Sequence, residues 1–192
     1  MRDIKQPAGF AFTEENVKKA DEYVAKYPKG RQASAVMPLL YLAQRQNDNW
    51  LPPAAMDYVA EFLGMEPIRV YEIANFYTMY NLKPVGRYHI QVCTSICCML
   101  RGSDDIVASC KKVTGVEFGG TSDDGMFTLS EMECLGACVN APMMQINDDC
   151  YEDLDQGSAE SVLNTLRIGG APKVGPQSAR KGSEPGPLKG KG

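Results

Sequence analysis

The sequence predicts an α+β chain, an N-terminal helical bundle followed by a small α/β domain, and three observations carry that prediction. Apolar residues recur at helical spacing between Thr13 and Tyr80. After Lys83-Pro84-Val85-Gly86 the pattern changes to short alternating runs separated by turn residues. Within that second part lie two tight cysteine groups, Cys93-Thr94-Ser95-Ile96-Cys97-Cys98 and Cys134-Leu135-Gly136-Ala137-Cys138. The expected divisions are an N-terminal arm over 1–12, the bundle over 13–82, the α/β domain over 83–168 and a tail over 169–192.

Pro7 and Gly9 make the arm irregular. A first helix starts at Thr13, whose hydroxyl can cap it, with Glu14 and Glu15 placed where the helix dipole favours acid. Pro28-Lys29-Gly30 ends it. A second helix runs from Ser34 to Gln46, with Pro38 tolerated near its first turn. A third opens at Pro52-Pro53 and closes at Gly64, and a fourth spans Pro67 to Tyr80. The last two resemble a helix-turn-helix, but Arg69 is the only base in the fourth, so the bundle reads as a packing module or docking surface.

Tyr88 to Val92 alternates and reads as a strand ending at Cys93, and Met99 to Val113 reads as the helix that follows. Cys98 would then sit at that helix's N-terminus, where the dipole favours thiolate. Further strands are expected at Met126–Leu129, Met143–Ile146 and Cys150–Glu152, then a last helix from Ser158 to Arg167. Pro142 is a candidate for a cis peptide. The tail has seven glycines, four prolines, five basic residues and one acid. Too polar to fold alone, it reads as an extended tail, and the sequence does not choose between a disordered end in the isolated chain and a segment laid across a partner in a complex.

Composition excludes several functions. A net charge of −4 lacks the basic footprint of a nucleic-acid binder. No apolar run approaches the roughly eighteen residues of a membrane span, so membrane association would come through other subunits. There is no G-x-G-x-x-G, no P-loop and no nucleophile elbow, so neither NADH nor flavin is expected to bind this chain itself. His89, inside a strand, reads as structural and Trp50 as a packing anchor. No C-x-x-C is present, which counts against disulfide reductase chemistry.

The cysteine groups point to a metal. Each short spacing lets one loop present two sulfurs, and four thiolates suit a tetrahedral zinc or a small iron–sulfur cluster. The pairs are wider than C-x2-C zinc knuckles, which favours the cluster. Spacing alone does not choose between Cys97 and Cys98. Glu131, Glu133, Asp123 and Asp124, if close, would lower the potential of such a centre, and Arg101 would raise it.

The runs Gln91-Val92-Cys93-Thr94-Ser95-Ile96-Cys97-Cys98-Met99-Leu100-Arg101-Gly102 and Glu133-Cys134-Leu135-Gly136-Ala137-Cys138-Val139-Asn140-Ala141-Pro142 resemble the thioredoxin-like [2Fe-2S] subunit of respiratory complex I. The resemblance covers roughly residues 13 to 175. It implies a thioredoxin-like α/β [2Fe-2S] ferredoxin domain, with Cys93, Cys98, Cys134 and Cys138 as cluster ligands. Cys97 departs from the family, which usually has a non-ligating residue there, often proline. Cys97, Cys110 and Cys150 would remain as reduced thiols. The resemblance also implies a partner subunit that binds FMN and NADH, and other peripheral-arm subunits of NADH:quinone oxidoreductase. The implied location is the matrix side of the mitochondrial inner membrane or the cytoplasmic side of a bacterial one. Similar modules serve NAD-linked hydrogenases and formate dehydrogenases, and a zinc-stabilised interaction module without redox function is the alternative of another class.

Overall fold

A computed structural model describes residues 6–183. Expectations for residues 1–5 of the arm and 184–192 of the tail lie outside the described residues. The chain forms two compact units divided between Val85 and Gly86.

The first unit is helical. Helix α1 (Glu14–Val24) is capped as expected, the Thr13 hydroxyl accepting from the Asn16 amide at 3.3 Å. A 3-10 turn over Gln32–Ala35 leads into α2 (Val36–Gln46), where a helix from Ser34 was expected. Helices α3 (Pro53–Leu63) and α4 (Pro67–Phe76) follow, each opening on a proline whose missing amide costs nothing there. Leu39, Leu40, Leu51, Val59 and Val70 fill the core. At about 1.5–3 kcal/mol for each large apolar side chain withdrawn from water, this burial outweighs modest helix propensity. The arm is irregular but anchored, because Phe12 is buried against the rings of Tyr58 and Phe62 at 5.1 and 6.0 Å. Helix α4 stops four residues short of Tyr80. There the buried side chain of Gln44 donates to the Met79 carbonyl and accepts from the Asn81 amide at 3.1 and 2.7 Å, fixing an extended return.

The second unit is a mixed five-stranded sheet with the order β2-β1-β3-β4-β5. Strands β1 (Tyr88–Cys93) and β2 (Phe127–Met132) run parallel, with Tyr88 opposite Phe127 and Cys93 opposite Met132. Strand β3 (Met144–Ile146) is antiparallel to β1, and β4 (Asp149–Glu152) is antiparallel to β3. Helices α6 (Ser103–Thr114) and α7 (Gln156–Arg167) supply Ile106, Cys110 and Leu163 to a core shared with Ile90, Phe127 and Leu129. Asp155 caps α7 by accepting from the Ser158 amide at 2.7 Å.

One expectation is corrected here and one open question is answered. The helix expected over Met99–Val113 is two helices, a five-residue α5 (Ile96–Leu100) and then α6. Gly102, at φ +95°, turns the chain between them in a conformation that other residues rarely adopt. The described part of the tail is ordered on its own unit. Gly175–Pro176 forms β5, parallel to β4, and the Gln177 amide donates to Glu152 O at 2.8 Å. Backbone hydrogen bonds to an open sheet edge hold it without any apolar core of its own.

Candidate metal centre

The site lies at the carboxyl ends of the parallel pair β1 and β2, where loops leave a parallel sheet and ligands commonly bind. Cys93 is the last residue of β1 and is buried; its amide donates to Met143 O at 3.3 Å and its thiol to Glu133 O at 3.7 Å. The Thr94 amide then donates to Met132 O at 3.0 Å, so the first cysteine loop starts clamped to the end of β2. Cys97 and Cys98 follow in α5 with opposite exposure: Cys98 is 1% exposed and Cys97 is on the surface.

The second loop leaves β2 with Cys134 exposed, turns at Gly136 (φ +83°), and re-enters a 3-10 turn at Cys138–Asn140, where Cys138 is also exposed. Ala141–Pro142 is a cis peptide, as Pro142 was a candidate to be. Cys98, Cys93, Ala141 and Met143 form a small buried cluster that fixes the base of the site.

The sulfurs lie in two neighbouring groups. Cys98 faces Cys93, and its thiol is pushed up to about 12 by burial first, then by hydrogen bonding and charge from Cys93 and by the charge of Cys138. Cys138 is also raised, through hydrogen bonds with Cys134 and Cys97 and their charges. Bringing several would-be thiolates together is costly unless a cation neutralises them, so metal binding and loss of the thiol protons are coupled. Among the described residues no group of three or more His, Cys, Asp or Glu side chains is arranged to hold a single metal ion. The donor set nevertheless suits a two-iron group, which takes two thiolates at each end.

Some flanking side chains lie where the sequence suggested and others do not. Thr94 gives its hydroxyl to Glu131 at 2.9 Å, so Glu131 is near the first loop. Asp124 accepts from Ser122 and Met126 before β2 begins, at the opposite end of the strand from the cysteines. Six residues of strand put roughly 17–20 Å between those ends, so Asp123 and Asp124 are not part of the site. Helix α6 begins five residues after Cys98, so the dipole of the long helix is not at that thiol. His89 hydrogen-bonds Ser130 at 2.8 Å, and burial lowers its pKa, the mark of a neutral structural imidazole.

Of the remaining thiols, Cys110 is wholly buried against Met144 and pushed up to about 12 by burial. Cys150 is partly buried beside the small cluster. One group escaped the sequence reading altogether. The four carbonyls that follow Cys138 are all engaged: Val139 O by Arg180 at 3.3 Å, Asn140 O by the Asp153 amide at 2.7 Å, Ala141 O by Arg101 at 3.4 Å, and Pro142 O by the Leu154 amide at 3.0 Å. Arg180 lies in a segment whose composition reads as disorder, and its place beside Lys181 reads there as one more basic residue of the tail.

The thioredoxin-like [2Fe-2S] ferredoxin family matches residues 20–167. An NADH-quinone oxidoreductase subunit of Rickettsia conorii is 56% identical over 82% of this chain and 95% of its own length. The mitochondrial NADH dehydrogenase [ubiquinone] flavoprotein 2 of Dictyostelium discoideum is 50% identical over 95% of this chain and 74% of its own. Among solved structures, an NAD+-reducing [NiFe]-hydrogenase chain aligns with a TM-score of 0.58 at 18% identity, covering 68% of this chain and 23% of that one, a likeness of fold alone.

Proposed function

Because the chain belongs to the thioredoxin-like [2Fe-2S] ferredoxin family, we propose that Cys93, Cys98, Cys134 and Cys138 hold its [2Fe-2S] cluster in an electron-transfer subunit of NADH:quinone oxidoreductase. The observation that supports the ligand assignment is the gathering of sulfurs at the ends of β1 and β2, with Cys98 buried beside Cys93 and Cys138 beside Cys134 and Cys97; taking Cys98 over Cys97 rests on the family resemblance. When bound, the cluster accepts and releases one electron at a time. The chain's own residues hold it at one exposed end of the unit, so that an electron need cross little protein to leave.

The surface around the site supports a docking partner. Ile96, Leu100 and Val139 are 68%, 76% and 67% exposed, each within two residues of a cysteine of the site. Apolar side chains left in water around a redox centre suit a face that a neighbouring subunit covers. That neighbour is the subunit that binds FMN and NADH, since no nucleotide-binding pattern occurs in this chain. Other peripheral-arm subunits complete the assembly, on the matrix side of the mitochondrial inner membrane or the cytoplasmic side of a bacterial one. No helix among the described residues is long and apolar enough to cross a membrane. Identity to the Rickettsia protein over most of the chain favours the respiratory enzyme over a hydrogenase or formate dehydrogenase module.

Metal and acid-labile sulfide analysis on anaerobically purified protein, with EPR before and after dithionite, tests this. The expected result is two irons, two sulfides and a signal that appears only on reduction. Zinc without sulfide would replace the reading with a structural module.

A further inference from the structure

The loop that carries Cys134 and Cys138 is held unevenly. Cys134, Gly136 and Cys138 are exposed, whereas Asn140, Ala141 and Pro142 are buried. Two of the four carbonyls after Cys138 are fixed by amides of the neighbouring chain turn, at Asp153 and Leu154. The other two are fixed by arginines, and Arg180 is the one that reaches Val139, the residue next to Cys138.

Arg180 is itself built in. Its Nε donates to Asp153 Oδ2 at 2.6 Å, a second nitrogen donates to Asp153 Oδ1, and the Ser178 hydroxyl donates to the same carboxylate at 2.9 Å. The Arg180 and Asp153 side chains are 15% and 7% exposed, which sets this pair apart from the solvated surface bridges that contribute little. The arginine in turn holds the Asp153 carboxyl below its usual range. Two residues on, Gly182 O accepts from the Asn140 side-chain amide at 2.9 Å, and that amide also donates to Glu152 on β4. The strap that begins at β5 therefore grips residues 139 and 140 from two sides.

We propose that Arg180 is a positioning residue for the cluster: through Val139 and Asn140 the C-terminal strap fixes where Cys138 presents its sulfur. This rests on Cys138 being a ligand. A cluster ligand on an otherwise exposed loop gains a defined direction only from what holds its backbone, and such outer contacts tune both metal retention and potential. The strap supplies that restraint from a segment more than forty residues away in sequence, with a guanidinium whose planar fork spans the carboxylate and the loop carbonyl together.

The test uses the full chain carrying Arg180→Gln, Arg180→Lys or, as a control on an ion pair elsewhere in the unit, Lys112→Gln, which breaks the Lys112–Glu160 pair at 2.9 Å. Hydrogen exchange, read without the cluster, follows the strap alone. Arg180→Gln is expected to speed exchange over residues 134–142 by about threefold to tenfold, the population change that follows loss of a hydrogen bond, with α6 and α7 unchanged. In the cluster-loaded chain it is expected to release iron to a chelator faster by a similar factor and to shift the midpoint potential and the g values of the reduced signal. Arg180→Lys should give intermediate values and Lys112→Gln wild-type ones. Wild-type loop exchange in Arg180→Gln, or an equal change in Lys112→Gln, overturns the proposal. Should Arg180→Gln not fold, Arg180→Lys is read in its place, and wild-type exchange there overturns it. A wild-type EPR signal in Cys138→Ser would instead remove the ligand assignment and leave the exchange result standing.

Discussion

Neighbouring cysteines with opposite surroundings make the sharpest contrast at the residue scale. Cys97 and Cys98 are chemically identical and adjacent, so spacing could not rank them, and their surroundings differ: Cys98 packs with Cys93 at the base of the site, whereas Cys97 is exposed beside Cys138. Cys98→Ser is expected to lose or distort the cluster and Cys97→Ser to keep two irons and two sulfides, as read by metal analysis and EPR. The reverse result would make the first pair C-x3-C. His89 gives a different kind of prediction. Burial holds its folded pKa below the unfolded value of about 6.5, so its contribution is fully present above that value. As pH falls through about 6.5 the unfolded chain takes up a proton that the folded chain resists, and stability declines. Melting temperatures between pH 8 and pH 5.5 should fall more steeply for wild type than for His89→Gln; equal slopes would mean His89 titrates freely in the fold.

Elements followed the sequence where local chemistry decides them and departed from it where distant residues do. Thr13, the prolines at 53 and 67, and the alternation of Tyr88 to Val92 are local signals, and each marks a boundary within a residue or two. Helix α4 shows the other case. Its apolar run continues to Tyr80, yet the chain leaves the helix at Tyr77 because Gln44, far away in sequence, is buried and needs the backbone of 79–81. Gln44→Ala would strand those two backbone groups and is expected to cost about 1–3 kcal/mol in urea unfolding. The break between α5 and α6 hangs on Gly102, whose signal was present in the sequence but reads as an ordinary interior glycine. Gly102→Ala should destabilise the unit by about 1–2 kcal/mol, the cost of a side chain in the left-handed region. It should also disturb α5, so cluster content would fall with it. The cysteine pattern was legible because ligand spacing is local; the bracing of the second loop was not, since Arg180 meets it only through the folded sheet.

For the molecule as a whole, the cysteine end of the second unit is where chemistry and exposed apolar surface coincide. Replacing Ile96 and Leu100 together by Ser is expected to leave cluster content unchanged while weakening co-purification with the flavin-binding subunit proposed above as the neighbour; undiminished co-purification would place the contact elsewhere. The two flanks of the sheet behave differently. Outside β2 the chain folds back on itself, with the Gly119 amide donating to Leu129 O and the Leu129 amide to Gly120 O at 2.8 and 3.1 Å. Outside β4 lies β5. Over residues 127–129 of β2 and 151–152 of β4 the outer backbone is therefore no free row for a stranger's strand to join, the usual route by which sheets polymerise. Along those stretches the chain is shielded from strand pairing with its own copies, which leaves exposed apolar side chains, such as those at the cysteine end, rather than open backbone as its adhesive surface.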